Sequence, residues 1–304
     1  MKNLKKLPLI LTILSLVSFI TPVNAEVKVV TSIKPIHSLA SYLMDGVGKP
    51  DLIVDGYASP HGFSMKPSHA KMLQNADLIF WVGEDLENFL EKPLNSIAKK
   101  AEKIELMGIK GLNVLSFRER NIFDDHDDHD DHEGHAHGEF DPHIWLDPIN
   151  AKVILFEMSK HLIELDAKNE SVYRDNLGKA YKEIDNLTKD VTAELNKSVA
   201  SIVFHDAYQY FEKRFNVNIL GAFTVNTDVM PGAEQLAEIR EIIEHDKVSC
   251  VFSEPQFNPD IIKAVAKDMN IKTGVVDPLG ATLNPGKDLY FKLIRNMSAS
   301  FKGC

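Results

Sequence analysis

Short apolar runs rich in β-branched residues alternate along this chain with amphipathic stretches. In the first half, Val27 to Thr31, Leu52 to Val54 and Leu78 to Val82 are separated by stretches such as Pro35 to Met44 and Ser68 to Asn75. That alternation predicts βα units and a parallel sheet. From Pro148 to Ser198 there is no strand signal, and the stretch is broken near Asp166 to Asn169. Its second part, Glu170 to Lys197, sets Val172, Asn176, Lys179, Ile184, Leu187, Val191 and Leu195 among many i,i+4 charge partners, and only Gly178 weakens it. This predicts one long exposed helix of about 42 Å. The alternation then resumes with Ser201 to Phe204, Val217 to Phe223, Val248 to Phe252 and Lys272 to Val276. The expected fold is α/β: two lobes, each a parallel sheet flanked by helices, joined by one long rigid helix. The expected boundaries are 26–166 for the N-terminal lobe, 167–198 for the linker helix and 199–304 for the C-terminal lobe.

The first 25 residues stand apart. Lys2, Lys5 and Lys6 precede an apolar run from Leu7 to Ile20, and Val23-Asn24-Ala25 supplies a small-residue cleavage site. This pattern is that of a secretory signal peptide, too short to span a membrane comfortably. No other stretch reaches spanning length, and no Cys near the cleavage site could carry a lipid anchor. The expectation is a free, monomeric protein in a bacterial periplasm. Setting aside the three lysines takes the net charge from −10 to −13. Such an acidic chain repels nucleic acid and concentrates cations. An oxidising compartment makes a bridge between Cys250 and Cys304, the two cysteines present, the default.

Within a segment expected to be a mobile loop over 119–139, residues 124 to 139 read DDHDDHDDHEGHAHGE. His126, His129, His132, His135 and His137 lie among eight carboxylates. No apolar residue larger than Ala136 is present, so nothing offsets the entropy of ordering the segment. Its imidazoles and carboxylates are ligands for zinc, copper or nickel, and weak, exchangeable contact is expected; a charged spacer or a cloning tag are the alternatives.

Three isolated histidines have a different setting. His61 lies in Ala58-Ser59-Pro60-His61-Gly62, His143 in Asp141-Pro142-His143-Ile144-Trp145-Leu146-Asp147-Pro148, and His205 follows the apolar Ile202-Val203-Phe204. Singly, each reads as a hydrogen-bonded structural histidine. However, His61 and His205 fall just past the carboxyl ends of predicted strands, where open α/β sheets place their ligands, and Asp277 repeats the placement after the last strand. Three imidazoles and one carboxylate satisfy tetrahedral zinc.

At these residues the chain resembles the metal-binding family of ABC-transporter solute-binding proteins, whose two lobes are joined by a single long helix. The resemblance runs through the strings around His61, His143 and His205, and through Lys66-Pro67-Ser68, Asn75-Ala76-Asp77-Leu78, Phe252-Ser253-Glu254-Pro255-Gln256 and Asp277-Pro278-Leu279-Gly280. It implies that His61, His143 and His205 are metal ligands and that an ABC permease receives the ion. The manganese branch carries a carboxylate at the position of His205, so an imidazole there points to zinc. The acidic His-rich loop and the late Cys pair are similar to the zinc-specific members. Some of those use a glutamate before the first histidine, where this chain has Pro60. The fourth ligand therefore falls to Asp277, with water, Glu254 or a loop histidine as alternatives. Asp277 could also act one step removed, orienting a histidine.

A zinc hydrolase would share three ligands and an open position. His132-Glu133-Gly134-His135 is one residue short of the metalloprotease spacing, and His135-Ala136-His137 lacks the Asp-His continuation of a metallo-lactamase. The expectation is therefore no enzyme. A secreted metal buffer or adhesin is the remaining alternative, to be separated by a permease-binding test.

Overall fold

The computed structural model describes residues 26–118, 120–123, 139–195, 199–225, 227 and 229–304. The leader and the five loop histidines His126, His129, His132, His135 and His137 lie outside these.

Two four-stranded parallel sheets form the framework. The first holds β1 (Val29–Ile33), β2 (Asp51–Val54), β3 (Leu78–Trp81) and β4 (Glu102–Glu105) in the order β2-β1-β3-β4. The second repeats this plan as β6-β5-β7-β8, with β5 (Ser201–His205), β6 (Ile219–Thr224), β7 (Cys250–Ser253) and β8 (Lys272–Val275). β1, β3 and β5 are buried along their whole length, which is why they read as continuous apolar runs. β4 had no such signature: Glu-Lys-Ile-Glu is an edge strand with a half-exposed pattern.

Helices α1 (Lys34–Leu43), α2 (Pro67–Asn75) and α3 (Glu84–Ser96) connect the first sheet; α6 (Gln209–Phe215), α7 (Ala233–His245) and α8 (Asp260–Met269) connect the second. Between the sheets lie α4 (Pro148–Leu165) and α5 (Glu170–Glu194), separated by a short 3-10 turn at Ala167–Asn169. The expected break is there, but α5 is not an exposed rod. It buries Tyr173, Asn176, Ala180, Ile184, Leu187 and Val191 against α1, α4 and the last helix, α9 (Leu289–Gly303). Tyr173 and Ala180, not Val172 and Lys179, complete the inward face, because a 3.6-residue period carries the stripe from Asn176 back to Tyr173 and on to Ala180.

α9 brings the end of the chain back across the molecule. Its buried Leu289, Tyr290, Leu293, Ile294, Met297 and Phe301 join the main core, which the first sheet shares with one side of the second; Phe301 at its end packs on Tyr208, Phe211 and Phe252. A smaller core under α7 and α8 occupies the other side of the second sheet. The Cys250–Cys304 disulfide, with Cα atoms 5.8 Å apart, ties β7 to the end of α9.

The stem of the His-rich segment touches both lobes. Ser116 and Phe140 form an antiparallel bridge, and Ile122 bridges Gly221 on the edge of β6. A Cβ at Gly221 would meet the Asn121 carbonyl at 2.6 Å, so only glycine admits this approach. No helix among the described residues is long and apolar enough to cross a membrane.

Candidate metal centre

The carboxyl ends of both sheets face a common cleft, and each histidine is delivered there by its local chain. His205 is the last residue of β5. His61 lies in the turn beyond β2, where its backbone N–H donates to the Ser59 hydroxyl (3.3 Å). His143 precedes a single 3-10 turn, Ile144–Leu146, which ends at Asp147. Asp147 caps α4 by accepting from the Ile149 N–H (2.8 Å), and Arg214 grips both its carboxylate oxygens at 2.7 Å. The aspartate-proline string is therefore a clamped connector that holds His143 still.

The three rings form a triangle with centroids 5.3 to 5.7 Å apart. One ring nitrogen of each lies within 4.8 Å of the others. Behind them, His143 Nδ1 donates to Asp141 Oδ1 and His205 Nδ1 to Glu254 Oε1, each at 2.7 Å. Carboxylates in their ionised form only accept, and the partnership then puts both protons on Nδ1 and leaves both Nε2 atoms to a metal ion. Those two Nε2 atoms stand 3.4 Å apart. Two ligands of a tetrahedral ion bound at 2.0–2.1 Å are separated by about 3.3–3.4 Å, so the spacing is that of neighbouring zinc ligands.

Burial sets the charge states. It pushes the His143 imidazole well below its usual range, with His205 adding to the effect, which keeps His143 neutral. His205 is equally buried, which is the largest single influence and lowers its pKa, but the charge and hydrogen bond of Glu254 together with the charges of Asp206 and Asp141 leave it raised. Burial lifts Asp141 and Asp206 to about 7, against the pull of Arg118. An arriving dication would favour all these carboxylates in their ionised form. The space at the centre, lined by Ser59, Pro60, Trp145, Phe257 and Leu279 besides the histidines, is about 10 Å³. That is room for an ion or a water.

Residues 29–304 match the family described as zinc-uptake complex component A, periplasmic. The chain belongs to this family. The high-affinity zinc uptake system protein ZnuA of Brucella abortus (strain 2308) is 44% identical over 304 residues, covering 91% of each chain. Among solved structures, the laminin-binding protein Lmb of Streptococcus agalactiae, described as having adhesin and metal-transporting activity, superposes with a TM-score of 0.76 at 23% identity, over 91% of this chain and all of that one. A manganese-bound periplasmic metal-binding protein from Candidatus Liberibacter asiaticus gives 0.74 at 20%, over 91% and 98%. At such identities the two structures establish the shared fold alone. Zinc-uptake component A proteins are solute-binding transport proteins, not enzymes.

The structure brings His61, His143 and His205 together and does not bring the Asp277 carboxylate into the same 4.8 Å cluster. Its Oδ1 accepts from Gln256 Nε2 (2.9 Å) and from the N–H groups of Leu279 (3.1 Å) and Gly280 (2.9 Å), while the buried Oδ2 has no hydrogen-bond partner. Glu254 stands behind His205. Asp141 was passed over in the sequence although it lies two residues before His143; its Oδ1 also accepts the His143 backbone N–H at 2.9 Å. Arg118, which bonds Asp206 and Glu212 and stacks over Phe123, carried no sequence signal as an isolated arginine.

Proposed function

We propose that this protein is the periplasmic zinc-binding component of an ABC importer, holding Zn²⁺ in the cleft through His61, His143 and His205 and delivering it to a membrane permease. The observation that carries this reading is the pair of Nε2 atoms 3.4 Å apart, each with its Nδ1 fixed by a buried carboxylate, beside the His61 ring. Imidazole nitrogen suits a borderline-soft ion such as zinc better than manganese, which prefers oxygen. The fourth ligand in this reading is Asp277 through Oδ2, an anionic oxygen buried without a donor. Asp277 lies outside the three-imidazole cluster, so a small approach of the cleft walls on binding brings its carboxylate to the ion. His126, His129, His132, His135 and His137 would supply weaker, exchangeable contacts. The protein acts as a monomer, released into the periplasm by removal of residues 1–25.

Competitive calorimetry against a zinc chelator tests this. His61→Ala, His143→Ala and His205→Ala should each weaken one tight zinc site by orders of magnitude in folded protein, since each removes a ligand. Unchanged affinity in any of the three removes that residue from the site. Delivery is tested separately, by zinc-dependent binding to the permease in detergent or nanodiscs; no binding would favour a free metal buffer.

A further inference from the structure

The segment that follows Asp277 belongs to the C-terminal half of the sequence, but its carbonyls are held by the N-terminal half. Trp145 Nε1 donates to the Pro278 carbonyl (2.8 Å), and the Ser38 hydroxyl donates to that of Lys287 (3.1 Å). Between them, the Lys34 ammonium reaches the carbonyls of Gly280 (3.3 Å), Ala281 (2.9 Å) and Leu283 (3.0 Å). An ammonium has three protons, so these carbonyls use its full donor capacity. Lys34 is only 4% exposed, at the carboxyl end of the central strand β1, with Asp55 Oδ1 at 3.3 Å as its nearest counter-ion. Asp55 itself lies on the connection that leads from β2 to His61.

A buried lysine is costly unless every proton is matched, and surface lysines serve solubility without such a cage. The cage here is made by one loop of the opposite lobe, the loop that carries Asp277. From this geometry we infer that Lys34 is a positioning residue, a clasp that fastens the 277–287 segment to the N-terminal lobe. The turn that carries Asp277 is then held on two sides, by Lys34 and by the second sheet, where Gln256 donates to Asp277 and the Val276 N–H to the Ser253 carbonyl. The inference rests on the zinc-cleft reading above and adds to it what holds the fourth ligand in place.

Two measurements test the clasp. The first is stopped-flow zinc release to excess chelator from Lys34→Met, which keeps the length of the side chain and removes its charge and donors. Release should be about tenfold faster or more, with association changed less than threefold, because the Asp277 turn loses its anchor. A merely structural lysine would instead lower the melting temperature of zinc-free and zinc-loaded protein equally and leave the release rate within twofold; that result overturns the clasp. The second measurement uses the unsubstituted protein, so it stands even if the variant fails to fold. On zinc removal, amide exchange in 279–289 should stay as low as in α1, because the clasp does not depend on the ion. Exchange rising in 279–289 overturns the inference. If the unsubstituted protein takes up no zinc at all, it is the zinc reading that fails, and the two failures are distinguishable.

Discussion

Replacing Glu254 by glutamine isolates the contribution of a residue that orients a ligand without having to touch the ion. Glu254 and His205 are 3% and 4% exposed, and their 2.7 Å contact joins a buried carboxylate to a buried Nδ1–H. Glutamine keeps the shape, and its amide oxygen can still accept, but the charge that holds the His205 proton on Nδ1 is gone. A charge-assisted bond is roughly twice as strong as a neutral one. Partners behind a metal-bound histidine are typically worth about 10- to 100-fold in metal affinity. Because the pair is buried, the expected loss sits inside that range, about 1.4 to 2.8 kcal/mol. The assay is zinc competition with a chelator of known affinity, on purified zinc-free protein at fixed pH and ionic strength. His205→Ala measured alongside sets the scale for complete loss of a ligand. Affinity within threefold of the unsubstituted protein would refute the argument that the carboxylate fixes the tautomer. A loss equal to that of His205→Ala would refute it in the other direction, since Glu254 would then be a ligand itself.

Glu87 provides a pH test away from the cleft. Its fully buried carboxyl, bonded by the N–H groups of Val82 and Gly83, is lifted by burial from 4.5 to about 7. A raised acid binds its proton more tightly when folded, so its contribution is complete below pH 4.5 and is lost as pH climbs to 7, by about 3 kcal/mol. Glu87→Gln should therefore gain stability relative to the unsubstituted protein between pH 4.5 and 8 in urea titrations, and a constant difference across that range contradicts the assignment. Cys250→Ser opens a bridge whose ends are 54 residues apart and should cost up to about 4 kcal/mol in denaturant unfolding; no change would mean the closure constrains little. Deleting residues 124–139 should remove weak zinc equivalents in a calorimetric titration and leave the tight one, and disappearance of the tight site would make a loop histidine the fourth ligand.

The sequence disclosed most where the physics is local. Buried parallel strands announce themselves as apolar runs, so β1, β3 and β5 were visible, whereas β4 was not, because a sheet edge needs no apolar alternation. The helix expected to be exposed is packed along one face, and the series Val172, Asn176, Lys179 passes one position short of the buried Tyr173 and Ala180, since tyrosine and alanine carry weaker apolar signals than valine. His61, His143 and His205 stood out by placement after strands or in turns. The groups behind them did not, because whether a carboxylate touches the ion or the far side of an imidazole depends on a few ångströms between distant segments. Glu254 and Asp277 look alike in the chain, each following a strand of the second sheet, and only the distances separate them. Lys34, opening an amphipathic helix, looks like any solvated lysine until the opposite lobe is present.

The return of α9 to the first lobe has a consequence for the order of assembly. The βα units of the first sheet are local and can form as soon as they are made, but α1 and α5 also rest on α9, and Tyr290 bonds Ser38 across 252 positions. Until that helix arrives, the apolar surface destined for it stays open to water or to other chains, the exposure that makes incomplete folds aggregate. In the folded protein the Cys250–Cys304 bond ties the end of that helix to β7 and so holds it where it arrives. Opening the bond should therefore loosen the cover over α1 and α5, although neither cysteine lies on them.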